Sequence, residues 1–183
     1  MSDADRFAGP DPQDMRSHIR ELPAQLEAGW ELGLRQPTPK ARPALVLLAG
    51  MGGSAIGADL VAAYAGPDLP VPVIVWRGYD LPAYVGSETL VVLSSHSGNT
   101  EETLSSYEAA RRLGASMLAI TTGGELAKRC ERDGVPLWRF EHRGQPRAAV
   151  GFSFALQLAA LHRCGLAADA GEEIRMAAQA MRE

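Results

Sequence analysis

The chain has 183 residues and a mass of 19.5 kDa, one domain's worth at about 100–200 residues per domain. Hydrophobic residues make up 46% and charged residues 22%, which excludes a disordered, collagen-like or disulfide-scaffold protein. A net charge of −4 argues against a nucleic-acid partner, yet it allows a local positive pocket for a small anion. No apolar run has bilayer length, so no membrane partner is expected. Residues 1–10 lack a basic and then apolar leader pattern, so no signal peptide is expected. Cys130 and Cys164 have neither framework nor metal spacing and read as reduced thiols of a cytoplasmic protein.

In chain order, residues 1–11 are polar, contain Gly9 and Pro10, and are expected to fray. Residues 12–32 follow a helical period, with Met15, Ile19, Leu22, Leu26 and Trp30 on one stripe. Pro23 interrupts it and predicts a kink or two short helices. Residues 36–43, rich in proline, read as an extended connection. Strand-length apolar runs then occur at Ala44–Ala49, Val71–Trp76, Leu90–Leu93, Met117–Thr121 and Val135–Phe140. They are nearly continuous, as in parallel strands covered on both faces. Helical segments are expected at Ala55–Tyr64, Glu101–Leu113, Glu125–Asp133, Ala148–Cys164 and Gly171–Arg182. The alternation predicts an α/β three-layer sandwich on a five-stranded parallel sheet of flavodoxin-like order, 2-1-3-4-5. Residues 1–43 read as a tail and helical segment, and residues 44–183 as the globular unit on which that helix packs.

In this order strands one and three are neighbours, and their following loops flank the point where ligands bind. Those two loops are the unusual ones. After strand one, residues 50–57 carry four glycines, among them Gly52 and Gly53, with Ser54 at the helix entrance. The glycines leave backbone N–H groups open to a ligand, and the helix start favours an anion. A tight turn with Ser54 as an N-cap accounts for the same residues. After strand three, Ser95, Ser97 and Thr100 surround Gly98 just before another helix. Hydroxyls and amides together suit a phosphate monoester, although hydroxyls are also common helix caps. Asn99 and Glu102 have capping-box spacing and set the helix start near residue 100. His96 lies inside this loop, where it can touch a ligand or pack locally. Two such loops on adjacent strands favour a shared phosphate pocket.

Rival motifs fit less well. Gly52 and Gly57 have P-loop spacing, but Ala58 and Asp59 stand where Lys and Ser/Thr are needed. Gly50, Gly52 and Ala55 match a dinucleotide fingerprint. Trp76 and Arg77 end strand two where an acid would be expected, so an NADP-binding domain with Arg77 at the 2′-phosphate is a weak alternative. The four histidines show no metal spacing, so no metal is expected. Glu101 and Glu102 are adjacent on a helix, face different ways and suit its dipole better than paired acid–base work. Arg147, after strand five, is placed to meet a carboxylate, phosphate or enolate oxygen. Residues 152–154 and 156–161 read as helix core.

Residues 50–57, 97–103, 120–127 and 145–148, in this order and spacing, resemble the sugar isomerase (SIS) domain. More closely, they resemble the N-terminal half of the bifunctional phosphoglucose/phosphomannose isomerases, and the segment from Asp11 to Trp30 fits as well. The resemblance implies binding of hexose 6-phosphates, a homodimer and no cofactor. It implies that Ser54, Ser95, Ser97 and Thr100 hold the phosphate, that Gly53 approaches the sugar, and that Arg147 stabilises the enediolate. Two departures stand out. His96 replaces an aromatic residue, usually tyrosine. The family's glutamate base and ring-opening histidine belong to a second SIS domain and have no match here. Aldose–ketose isomerisation needs a base at the C2 proton. The expectation is a phosphate-binding half-site, completed by a second SIS domain from this or another chain. The alternative is a binding or regulatory module without catalysis of its own.

Overall fold

Strands β1 (Leu45–Gly50), β2 (Val73–Trp76), β3 (Thr89–Ser95), β4 (Ser116–Thr121) and β5 (Leu137–Arg139) form one sheet in the computed structural model. It describes Asp11 and residues 14–183. The strands are parallel and run in the order β2-β1-β3-β4-β5, as the sequence predicts. The expected fraying of residues 1–11 lies outside the described residues, except for Asp11.

Alternate residues of each strand supply two cores. Val46, Leu48, Leu90, Val92, Leu118 and Ile120 face helices α2 (Leu22–Leu34), α3 (Gly52–Ala65), α6 (Val150–Arg163) and α7 (Gly171–Ala180). Leu47, Ala49, Val91, Leu93, Met117 and Ala119 face α4 (Glu101–Arg112) and α5 (Gly124–Asp133). Each fully buried leucine contributes about 1.5–3 kcal/mol, so burial on both faces explains why the strands read as unbroken apolar runs. No helix joins β2 to β3. The crossover is a loop whose Val85 and Leu81 pack on the second core.

The N-terminal helical segment is divided in two as Pro23 predicts, while the helix after β1 and the start of the last long helix differ from expectation. The first helical segment divides at Glu21 into α1 (Met15–Arg20) and α2, with Pro23 in the first turn of α2, where its missing N–H costs nothing. Asp11 accepts from the Met15 and Arg16 amides and holds the start of α1. The helix after β1 begins at Gly52 rather than Ala55, because Met51 carbonyl accepts from Ser54 and Ala55. The last long helix is preceded by a separate 3₁₀ turn, Pro146–Ala149.

The α2 helix lies close against α6. An added Cβ at Gly33 would stand 2.5 Å from Ala159 Cβ, so the small residue sets the spacing. Trp30 and Leu26 thereby enter the first core. Cys130 is buried, Cys164 is half-buried, and both are free. Burial pushes the Cys130 thiol up to about 11, which keeps it protonated and unreactive. No described helix is long and apolar enough to cross a membrane.

Candidate functional site

Gly50 of β1 pairs with Ser94 of β3, so the glycine turn and the hydroxyl loop leave the sheet side by side. This is where strand order reverses, between β1 and β3. The glycine turn opens α3. Its N-cap is Met51, and Ser54 sits within the first turn rather than capping it. Ser54 is buried, and its carbonyl accepts from Ser153 Oγ (3.2 Å) and Gln157 Nε2 (3.1 Å) of α6. Two buried polar residues on α6 therefore anchor the turn from below.

The hydroxyl loop is ordered by its own side chains. Ser95 Oγ and Thr100 Oγ1 are 2.8 Å apart, and Ser95 Oγ accepts from Gly98 N at 3.1 Å. Ser97 is exposed and its Oγ accepts from Asn99 N at 3.2 Å. Gly98 has φ +70°, and a Cβ there would meet Gly123 carbonyl at 1.8 Å, so only glycine fits. Thr100 is the N-cap of α4 and makes no side-chain cap bond. The helix start falls where expected, but Asn99 caps a different helix. Its Oδ1 accepts from Glu125 N in the first turn of α5 at 2.9 Å.

The loop after β4 buttresses the hydroxyl loop. Thr122 Oγ1 donates to His96 carbonyl at 2.7 Å, and Leu126 N donates to Gly98 carbonyl at 2.9 Å. Sequence reasoning noted residues 120–127 only as part of a resemblance. Their threonines and glycines next to a helix start were the available signal.

The third side of the site is the Pro146–Ala149 turn. A Cβ at Gly53 would lie 2.8 Å from Pro146 carbonyl, so Gly53 packs directly on this backbone. Gln25 Nε2 of α2 donates to Ala148 carbonyl at 2.8 Å and holds the turn from behind. Arg147 is exposed and makes no hydrogen bond or ion pair with any described residue. Gln25, Ser153 and Gln157 were missed from sequence. Single polar residues within apolar helical stripes were the only trace.

His96 is engaged with protein side chains while lining a small cavity together with Ser54 and Pro146. Its Nε2 stands 2.9 Å from His142 Nδ1, and its ring meets Phe140 edge-on. Burial, then the neighbouring histidine, holds its pKa below the ordinary value. Arg77 pairs with Asp59 and reaches Ala55 carbonyl, so it already serves the fold. Glu101 accepts from Tyr79 Oη at 3.0 Å. Among the described residues, no cluster of histidine, cysteine or acids suits a metal ion.

The two loops thus bring the N-termini of α3 and α4 side by side, with the hydroxyls of Ser95, Ser97 and Thr100 on one loop and the backbone of exposed Arg147 against Gly53 on the other. Unpaired amides at such termini carry partial positive charge, and a phosphate dianion offers the matching acceptors. A separate groove of about 490 Å³ lies among α2, α3, α6 and α7. It is lined mostly by apolar side chains such as Leu26, Leu60 and Phe154.

No protein-family model matches the chain. The fold is that of a SIS domain. Over 97% of the chain it superposes, with a TM-score of 0.66 and 23% identity, on 45% of a hypothetical protein from Thermus thermophilus. It superposes over 90% of the chain on 50% of tagatose-6-phosphate ketose/aldose isomerase from Escherichia coli, with a TM-score of 0.57 and 18% identity. In sequence the chain is 43% identical, over 162 residues, to the bifunctional phosphoglucose/phosphomannose isomerase of Caldicellulosiruptor bescii. That match covers 87% of this chain and 48% of the relative, so the chain spans about half the relative's length. The resemblance to the bifunctional phosphoglucose/phosphomannose isomerases is real homology.

Proposed function

We propose that the chain binds a hexose 6-phosphate and supplies the phosphate-holding, enediolate-stabilising half of a phosphoglucose/phosphomannose isomerase. The observation that carries this reading is the meeting of the hydroxyl loop and the α3 N-terminus at the β1–β3 junction, with unpaired Arg147 beside them. The Gly52 amide and the Ser54, Ser95, Ser97 and Thr100 hydroxyls hold the phosphate, and Gly53 lies against the sugar. Arg147 meets the oxygen that becomes negative when glucose 6-phosphate or mannose 6-phosphate isomerises to fructose 6-phosphate. The base that moves the C2 proton comes from a second SIS domain or another chain. A homodimer in the cytoplasm is the setting that the SIS resemblance and the unpaired thiols of Cys130 and Cys164 support.

Fructose 6-phosphate titrated by calorimetry is expected to bind the native chain. Binding is expected to weaken strongly in a Ser95→Ala, Ser97→Ala, Thr100→Ala variant. Unchanged affinity in that variant overturns the phosphate assignment. A second reading, a sugar-phosphate-binding module without catalysis, is favoured by one observation: His96 and Glu101 both already face protein partners. Turnover of fructose 6-phosphate by the purified chain alone rules this reading out.

A further inference from the structure

Three of the four histidines, distant in sequence, gather beside the site. His18 comes from α1, His96 from the hydroxyl loop and His142 from the segment entering the Gln145–Arg147 turn. Ring centroids are 5.1 Å apart for His96 and His142 and 5.6 Å for His18 and His142. Phe140 packs on His96 and Phe152 on His142. His142 Nε2 and His18 Nδ1 are buried without a hydrogen-bond partner.

We propose that the His96–His142 hydrogen bond is a strut that sets the Gln145–Arg147 turn against the hydroxyl loop, making both histidines positioning residues for the sugar-phosphate site. The proposal rests on the functional reading above. Its geometry is direct. His96 carbonyl is fixed by Thr122, so one end of the strut belongs to the buttressed loop. The other end lies five residues before Arg147, whose own side chain has no described partner to place it. Gln25 and Gly53 hold the backbone of the turn from behind and from one side, and the strut acts on the segment that leads into it.

The strut is sensitive to protons. His96 Nε2 and His142 Nδ1 can share one hydrogen, whichever ring donates. If both rings are cationic, both facing nitrogens carry hydrogen, the bond is lost and the charges repel. The charged or titratable groups facing the pair are His18 of α1 and Glu21 between α1 and α2. Phe140 and Phe152 bring no charge. Burial, first, and the neighbouring histidines keep both rings below the ordinary histidine value, with Glu21 opposing this at His142. The strut is therefore whole at neutral pH and is lost only below the ordinary histidine range, when the second ring takes its proton.

The test has two arms. In ¹⁵N-labelled protein, the histidine ring signals and the Arg147 Nε–H signal are followed from about pH 8 to about pH 5. His96 and His142 are expected to titrate in two linked steps below the ordinary value, and the Arg147 signal is expected to move with them. At fixed neutral pH, His96→Phe and His142→Phe are each expected to weaken fructose 6-phosphate binding about three- to tenfold. The double variant is expected to lose no more than either single one. His142→Asn, which returns a polar nitrogen near Nδ1, is expected to recover most of the loss. Independent titration at the ordinary value with a still Arg147 signal overturns the strut, and so do additive losses. A native chain that binds no fructose 6-phosphate overturns the functional reading alone, and the Arg147 signal then decides the strut.

Discussion

The hydroxyl loop after β3 and the Pro146–Ala149 turn face each other across the same site but are built in opposite ways. The loop uses its polar groups internally. Ser95 meets Thr100, Ser97 meets Asn99 N, and the β4 loop holds its backbone through Thr122 and Leu126. The turn leaves its one charged side chain unpaired; beyond its own Ala148 N–H to Gln145 carbonyl bond, it is held from outside, by Gln25 and the approach of Gly53 among others. The loop's hydroxyls are already placed and can reorient their hydrogens toward a ligand without moving heavy atoms. Arg147 keeps its freedom until something negative arrives. Under the proposed function, the loop is a preformed cradle for a permanent charge and Arg147 an uncommitted cation for a developing one.

The severest way to break the preformed side is Gly98→Ala. Its Cβ would lie 1.8 Å from a carbonyl in a left-handed conformation, so a loss of about 3 kcal/mol or more in thermal or denaturant unfolding is expected. A variant as stable as the native chain means the loop is not locked by the β4 loop. Removing the Ser95, Ser97 and Thr100 hydroxyls is expected to cost about 1–2 kcal/mol, since the Ser95–Thr100 pair goes together, Gly98 N keeps the Ser95 carbonyl and the exposed Asn99 N turns to water. The same change weakens fructose 6-phosphate binding roughly a hundredfold.

Arg147→Ala is expected to cost tenfold or less in ground-state affinity, because in the proposed role the oxyanion it meets forms only during reaction. Its unfolding midpoint is expected to be unchanged, because the side chain is exposed and unpaired. A large loss of stability there erases the contrast between the two sides. Asn99→Ala removes the cap on α5 and is expected to cost about 1 kcal/mol of stability. Smallest is Arg77→Ala, which breaks a surface ion pair with Asp59 worth about 0.5 kcal/mol. NADPH fluorescence is expected to be flat with or without it. An NADPH response that vanishes with Arg77 revives the dinucleotide alternative.

Much of the site was legible because it is local. Glycines at a strand end and hydroxyls before a helix are short-range signals, and strand order follows from right-handed crossovers. Asn99 shows where local reasoning stops. Its spacing to Glu102 is that of a capping box on α4, yet its oxygen serves α5, which only the fold brings near. Gln25 is similar. It looks like an ordinary polar face of α2, but it is buried and bonded to Ala148, 123 residues away.

The sequence by itself determined the α/β class, the sheet order and the two loops proposed to hold a phosphate. Apolar periodicity and turn residues act over a few residues and need no tertiary partner to be read. Tertiary structure alone decided which way the polar side chains face and what they meet. Gly53 rests on Pro146, Ser153 and Gln157 hold Ser54, and three histidines from separate segments share one corner. Such contacts depend on how helices pack on both faces of the sheet, and no spacing along the chain encodes that distance.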